Sequence, residues 1–241
     1  TSFKISNDDL LNNLTEMLDY IDEPFADSSA LAVNILSKLT RTKVTVALSG
    51  DGADEIFAGY NKHAAHFNAS YARAKEKIAA AMNPLWKVVP KSRNSKVSNF
   101  ARQLDRFATG FKLSPDERYW YWASIGSESY VSSLLDIPID YAEFSQRKNK
   151  YVNSNVGLED INQVLYTDMQ LILPGDMLTK TDLMSMTNSL EVRTPFLDHT
   201  VVNYAFSLPS HGGHYRTDPW KNRLDHARSA SLVPDKRYSH M

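Results

Sequence analysis

Apolar residues recur at intervals of three and four through much of the chain, and this period predicts a protein built mainly of helices. Near the start, Leu10, Leu11, Leu14, Met17, Leu18 and Ile21 follow it. Ser6 or Asn7 is suited to cap that helix, and Asp8 and Asp9 favour the positive end of its dipole. Glu23-Pro24 interrupts the pattern, after which a second helix is predicted from about Ser28 to Leu39. The period then changes. Val44-Thr45-Val46-Ala47-Leu48, closed by Ser49-Gly50, reads as a buried strand of an α/β sheet. Such a strand needs neighbours on both edges, and Phe3 to Ile5 is the one other short strand the pattern offers.

From Tyr60 onward helices dominate. Ala64 to Ala81 is alanine-rich, and Arg93 to Lys112 reads as an amphipathic helix with Phe100, Leu104 and Phe107 on one side. Pro115-Asp116-Glu117 begins a helix bearing Tyr119, Trp120, Tyr121 and Trp122, aromatics that suit helix packing better than a nucleotide-stacking platform. Arg147 to Asn155 reads as a polar connection, and Asp160 to Leu173 as helix again. The fold class expected is α/β, predominantly helical with a parallel-sheet portion: a sheet-associated part in residues 1–60 and a mainly helical part in 61–241.

Composition narrows the chemistry. With 27 lysines and arginines against 28 aspartates and glutamates, the 241-residue chain has no bulk positive field for nucleic acid or an anionic membrane. Neither is expected as a partner. The absence of cysteine removes thiolate nucleophiles, disulfides and cysteine-bound metals, so a bound cation must be held by oxygen or imidazole. No apolar run approaches the ~20 residues that span a bilayer, and Thr1 to Asp9 lacks a signal-peptide pattern, which makes a cytoplasmic location the expectation. His199, His211 and His214 match no tight zinc-ligand spacing.

The strand opens into Ser49-Gly50-Asp51-Gly52-Ala53-Asp54-Glu55. Ligands of open α/β sheets bind beyond the carboxyl ends of strands, and Gly50 and Gly52 let backbone approach a nucleotide or phosphate closely. Ser49 adds a hydroxyl. No lysine followed by serine or threonine comes after the glycines, so the loop is not a Walker sequence. Asp51, Asp54 and Glu55 repel one another unless a cation or donors gather there, and oxygen ligation by few protein groups suits magnesium held jointly with phosphates. An acidic cap on the following helix is the other reading of the same residues. Farther on, Glu191, Arg193 and Asp198 form a charged group around Thr194-Pro195-Phe196-Leu197, with the arginine either a bidentate brace between carboxylates or in contact with substrate. Lys180 and Asp182, two apart, cannot share a helical face and need separate partners.

The stretch Asp22 to Asp27, Val44 to Glu55 and Phe57 to Tyr60, followed by Leu173 to Asp182, Ser185-Met186 and Ser189 to His199, resembles two blocks of the glutamine-hydrolysing asparagine synthetases. The resemblance implies an ATP-pyrophosphatase-type domain that uses ATP and magnesium (Mg2+) to convert aspartate to β-aspartyl-AMP, which ammonia released from glutamine then attacks. By position, Ser49, Gly50 and Gly52 would meet the nucleotide, Asp54 would hold magnesium-pyrophosphate, and Asp51 would assist ammonia attack. Some members carry glutamate at the Asp51 position. Glu55, Asp182, Glu191 and Arg193 would support the site from behind. Two family elements are not found: an upstream phosphate loop of serine, two glycines, an acid and serine, and a glutaminase domain whose nucleophile is a first-residue cysteine. The family's lysine near the carboxyl end is also unmatched, Lys236 being no convincing stand-in. The chain is therefore expected to be part of a longer protein, inactive by itself, and the unpaired strand edge points to association, a homodimer included. The alternatives are a related adenylating amidotransferase such as a β-lactam synthetase, and a helical interaction domain without catalysis.

Overall fold

The structure is a computed structural model that describes residues 2–23, 25–90, 95–136, 140–153, 161–208 and 223. In chain order its elements are α1 (Asn7–Tyr20), α2 (Ser29–Arg41), β1 (Val46–Leu48), α3 (Ala53–Phe57), α4 (Asn61–Ser70), α5 (Ala74–Ala81), α6 (Asn83–Val88), α7 (Lys96–Phe111), α8 (Pro115–Ala123), α9 (Glu128–Leu134), α10 (Tyr141–Asn153), α11 (Ile161–Ile172), α12 (Thr179–Met186), β2 (Glu191–Arg193) and α13 (His199–Ser207). The fold is mixed α/β, predominantly helical with a small parallel sheet. Two compact units divide it: residues up to Ile56 with Asp168–Ser207, and Phe57–Thr167 with the residues from Leu208.

In the first unit, Ser6 caps α1 reciprocally. Its hydroxyl accepts from the Asp9 N–H at 3.2 Å, and the Asp9 carboxylate accepts from the Ser6 N–H at 2.8 Å. Helix α2 packs against both α1 and α12. Met17, Ala30 and Met184 are buried where they meet, with Phe25, Leu31 and Leu183 packed around them. The apolar stripe of α1 is wider than the face this core covers, for Leu11, Leu14 and Leu18 are exposed.

The sheet corrects three expectations. Phe3 to Ile5 is irregular, and among the described residues no strand lies beside it. The partner of β1 is β2, in parallel, with Val46 opposite Glu191 and Leu48 opposite Arg193. Nor is β1 buried: Val46 is exposed, as is Val44 just before it, and Leu48 is 74% exposed. Among the described residues β1 has this one partner, so the cover that an apolar strand calls for is missing from these elements.

Helix α11 does not simply end at Pro174. Leu173–Leu178 forms a π-helical turn that runs on into α12. Proline supplies no N–H and clashes with the carbonyl four residues back, a conflict that a wider turn relieves. The Thr179 hydroxyl then donates to the Pro174 carbonyl at 2.7 Å, tying the start of α12 to the π-helical turn.

The second unit is helical. Trp122 of α8 stacks on Phe107 of α7, with ring centroids 6.1 Å apart and planes 14° from parallel, and donates its indole N–H to the Arg106 carbonyl. Gly110 admits this contact, because a Cβ there would lie 2.6 Å from the indole. Tyr119 and Trp122 are buried, as packing residues should be, whereas Tyr121 is exposed and Trp120 half-buried, both on the wall of a cavity of about 710 Å³. Arg147 to Asn153 is not a connection but the later half of α10, stabilised on its surface by an Arg147–Glu143 pair one turn apart. Residues 154–160, which that expectation and the next also touched, lie outside the described residues. No helix among the described residues is long and apolar enough to cross a membrane.

Candidate functional site

The site grows from the end of β1. There the Ser49 N–H donates to the Arg193 carbonyl at 2.8 Å, continuing the pairing with β2 by one residue. The chain turns at once, with Ala53 N–H donating to the Gly50 carbonyl at 3.2 Å and Ile56 N–H to the Gly52 carbonyl at 3.1 Å. The two glycines serve different ends. Gly52 has φ +89°, a left-handed conformation costly for any side chain, and a Cβ there would come within 2.2 Å of Leu197. Gly50 is exposed and a Cβ would meet nothing within 4 Å, so its backbone is open to a ligand.

The three carboxylates of the loop go separate ways. Asp51 is half-buried and turns inward. Its Oδ2 accepts from the Ser49 hydroxyl at 2.8 Å and from the Thr181 hydroxyl of α12 at 2.7 Å, and its N–H donates to the Ser49 hydroxyl at 3.2 Å. Asp54 is exposed. Glu55 is 1% exposed, so it belongs to the packing beneath the loop. Among the described residues no three carboxylate or imidazole groups converge into a ready-made metal cage. Magnesium would not need such a cage, since it keeps most of its waters and takes one or two carboxylates beside substrate phosphates. Asp54, four residues beyond the open backbone at Gly50, is an exposed carboxylate.

Helix α12 fixes the far side. Lys180 is buried, and its Nζ donates to Asp27 Oδ2 at 2.6 Å and to the Ser29 hydroxyl at 3.0 Å. Burial pushes the Asp27 carboxyl up, but hydrogen bonds from Lys180 and from the Ser29 N–H and hydroxyl outweigh it and hold the carboxyl below its ordinary range. Lys180 and Asp182 do have separate surroundings, as their spacing requires: Asp182 is exposed on a cavity of about 470 Å³ that Thr181, Ser185, Glu191, Val192 and Thr194 also line.

Glu191 and Arg193 lie two apart on one face of β2, and Arg193 Nε donates to Glu191 Oε1 at 2.8 Å. The contact runs through Nε and both side chains are exposed. Asp198 stands apart from this pair, accepting from the N–H and hydroxyl of Thr200 at the start of α13. Those bonds hold its carboxyl below the ordinary range. His211 and His214 lie outside the described residues. Sequence reasoning did not single out Asp27, Lys180 or Thr181 as partners, because each contact joins residues 130 or more apart. The local hint was the spacing of Lys180 and Asp182, which leaves the lysine in need of a partner of its own.

The chain matches the asparagine synthase family over residues 1–212. It is 32% identical over 206 residues to glutamine-hydrolysing asparagine synthetase 1 of Bacillus subtilis, an alignment covering 85% of this chain and 31% of that protein. Over 208 residues it is 29% identical to a Mycobacterium bovis protein that carries the same enzyme name provisionally, covering 86% of this chain and 30% of that one. The chain thus spans about three-tenths of the length of these curated relatives. No solved structure gives a significant match. The family match takes in both the glycine-acid loop and the α12–β2 segment that the structure brings together around Asp51, and the chain belongs to the asparagine synthase family.

Proposed function

We propose that the chain forms part of an enzyme that amidates L-aspartate to L-asparagine through β-aspartyl-AMP, with ATP as the activating substrate and glutamine, by way of a glutaminase domain, as the source of ammonia. The observation that carries this reading is the Asp51 carboxylate, held by Ser49 and Thr181 at the carboxyl end of β1 inside a family match that covers both segments. An ATP-pyrophosphatase-type domain and a cytoplasmic setting belong to the same proposal. Magnesium, when bound, would supply positive charge against the pyrophosphate leaving group.

The chain's own residues divide the remaining work. The open backbone at Gly50, with Ser49 and Gly52, receives the nucleotide, and Gly52 holds the turn that presents it. Asp54 faces the metal-phosphate group. Asp51 takes the proton that ammonia must lose as it becomes an amide nitrogen. Glu55 supports the loop from below, while Asp182, Glu191 and Arg193 shape the cavity wall and the end of β2.

The full protein, supplied with ammonium, ATP and magnesium, tests the reading by aspartate-dependent pyrophosphate release. Asp54→Ala is expected to lower that release by about a hundredfold or more, the scale of losing a group that stabilises developing charge. Release with some other carboxylic acid alone would assign the chain to a different adenylating amidotransferase. No release with any acid would leave it a non-catalytic domain.

A further inference from the structure

We propose that Thr181 is the positioning residue for Asp51, turning the carboxylate so that Oδ1 is the oxygen that takes the proton from attacking ammonia. This rests on the functional reading above. The geometry supports it in three steps. Both hydroxyls that reach Asp51, those of Ser49 and Thr181, donate to Oδ2, at 2.8 and 2.7 Å. A carboxylate oxygen has two lone-pair sites, so two short charge-assisted bonds occupy Oδ2 and assign the proton-accepting role to Oδ1.

The two donors are not equivalent. Ser49 sits two residues from Asp51 on the same loop and moves with it, so its bond fixes only the local turn. Thr181 comes from α12, 130 residues away, and its β-branched side chain is stiff at χ1, so helix and carboxylate are locked in one frame. A helical threonine ordinarily turns its hydroxyl back onto its own helix. Here the hydroxyl goes outward to Asp51. The helix is itself anchored on the next residue, through Lys180 to Asp27 and Ser29 at the start of α2, and by Met184 in the core with Ala30 and Met17.

In the step so served, the nitrogen lone pair of ammonia forms the C–N bond, and the C–O bond to AMP breaks with its electron pair leaving on the phosphate oxygen. The surplus proton on nitrogen passes to Asp51 Oδ1. Thr181 touches none of the reacting atoms, and adenylation, which precedes proton removal, does not call on it.

The experiment separates the two half-reactions in the full protein with Thr181→Val and Thr181→Ser. Aspartate-dependent pyrophosphate release in a single turnover without a nitrogen source reads adenylation, and asparagine formed with ammonium reads amide synthesis. Thr181→Val is expected to keep the first within about twofold and to lower the second about tenfold, a part of the gain general bases typically supply. Thr181→Ser, which keeps the hydroxyl, is expected to restore amide synthesis to near the parent rate. If Thr181→Val slows both half-reactions alike, Thr181 merely supports the fold; if it slows neither, the hydroxyl is idle; either result overturns the proposal alone. A parent protein that releases no pyrophosphate with aspartate sinks the functional reading, and this proposal with it.

Discussion

At Gly52 two constraints coincide, a φ of +89° and a neighbour, Leu197, already occupying the space of a side chain. Leu197 is the end of a movable chain and can give way, so backbone strain outweighs the clash. Gly52→Ala is expected to cost about 2 kcal/mol in urea unfolding, within the range for a forced left-handed residue. Adding Leu197→Ala should relieve little of it. Asn34 makes the opposite case. It is fully buried in α2, and neither side-chain amide atom has a hydrogen-bond partner among the described residues, although its backbone carbonyl accepts from Asn188. An unsatisfied buried amide carries a desolvation penalty that a shape-matched apolar side chain does not. Asn34→Leu should therefore raise stability by about 1 kcal/mol, read from the urea midpoint.

Among the elements, α12 joins what lies far apart in sequence. Adjacent residues on a helix point about 100° apart, so Lys180 reaches the start of α2 while Thr181 reaches the loop after β1. The π-helical turn before it sets that aim, since a widened turn shifts the phase of every later residue. Removing the cation with Lys180→Met leaves the Asp27 carboxylate with its Ser29 donors alone, and should cost about 2 kcal/mol, less than the ~3 to 5 kcal/mol of a fully buried broken pair because those bonds and partial exposure remain. The pH dependence has a definite sign. Because the folded Asp27 carboxyl lies below the ordinary value of 3.8, its contribution is complete above that pH and is lost as pH falls through the lower folded value. Asp27→Asn should therefore melt well below the parent at pH 7, and the gap should narrow below about pH 4, as followed by circular dichroism.

For the molecule as a whole, the notable feature is apolar surface that the described elements do not cover. Val46 and Leu48 of β1 and Leu11 and Leu18 of α1 are exposed in the first unit. Exposed sheet surface invites association. The 241-residue chain is expected to sediment as larger species with rising concentration, and Leu48→Lys with Val46→Thr to shift it toward monomer in analytical ultracentrifugation.

What could be read from the sequence was whatever the chain encodes within a few residues. The capped start of α1, the span of α2, the strand opening into a glycine-acid loop and the packing role of Tyr119 and Trp122 all follow from spacing, turn chemistry and residue type. Family membership was legible too, because two long stretches resemble blocks of the family whose match spans residues 1–212. Tertiary structure decided the rest. That Glu191–Arg193 is the partner of β1 is not encoded in three residues with a charge at either end, which carry no strand pattern of their own. That Asp51, Asp54 and Glu55 separate into a held, an exposed and a buried carboxylate depends on what packs around each one. The hold of Thr181 on Asp51, and of Lys180 on Asp27, spans more than half the chain, and such contacts exist only once α12 has been aimed by the π-helical turn and seated on α2.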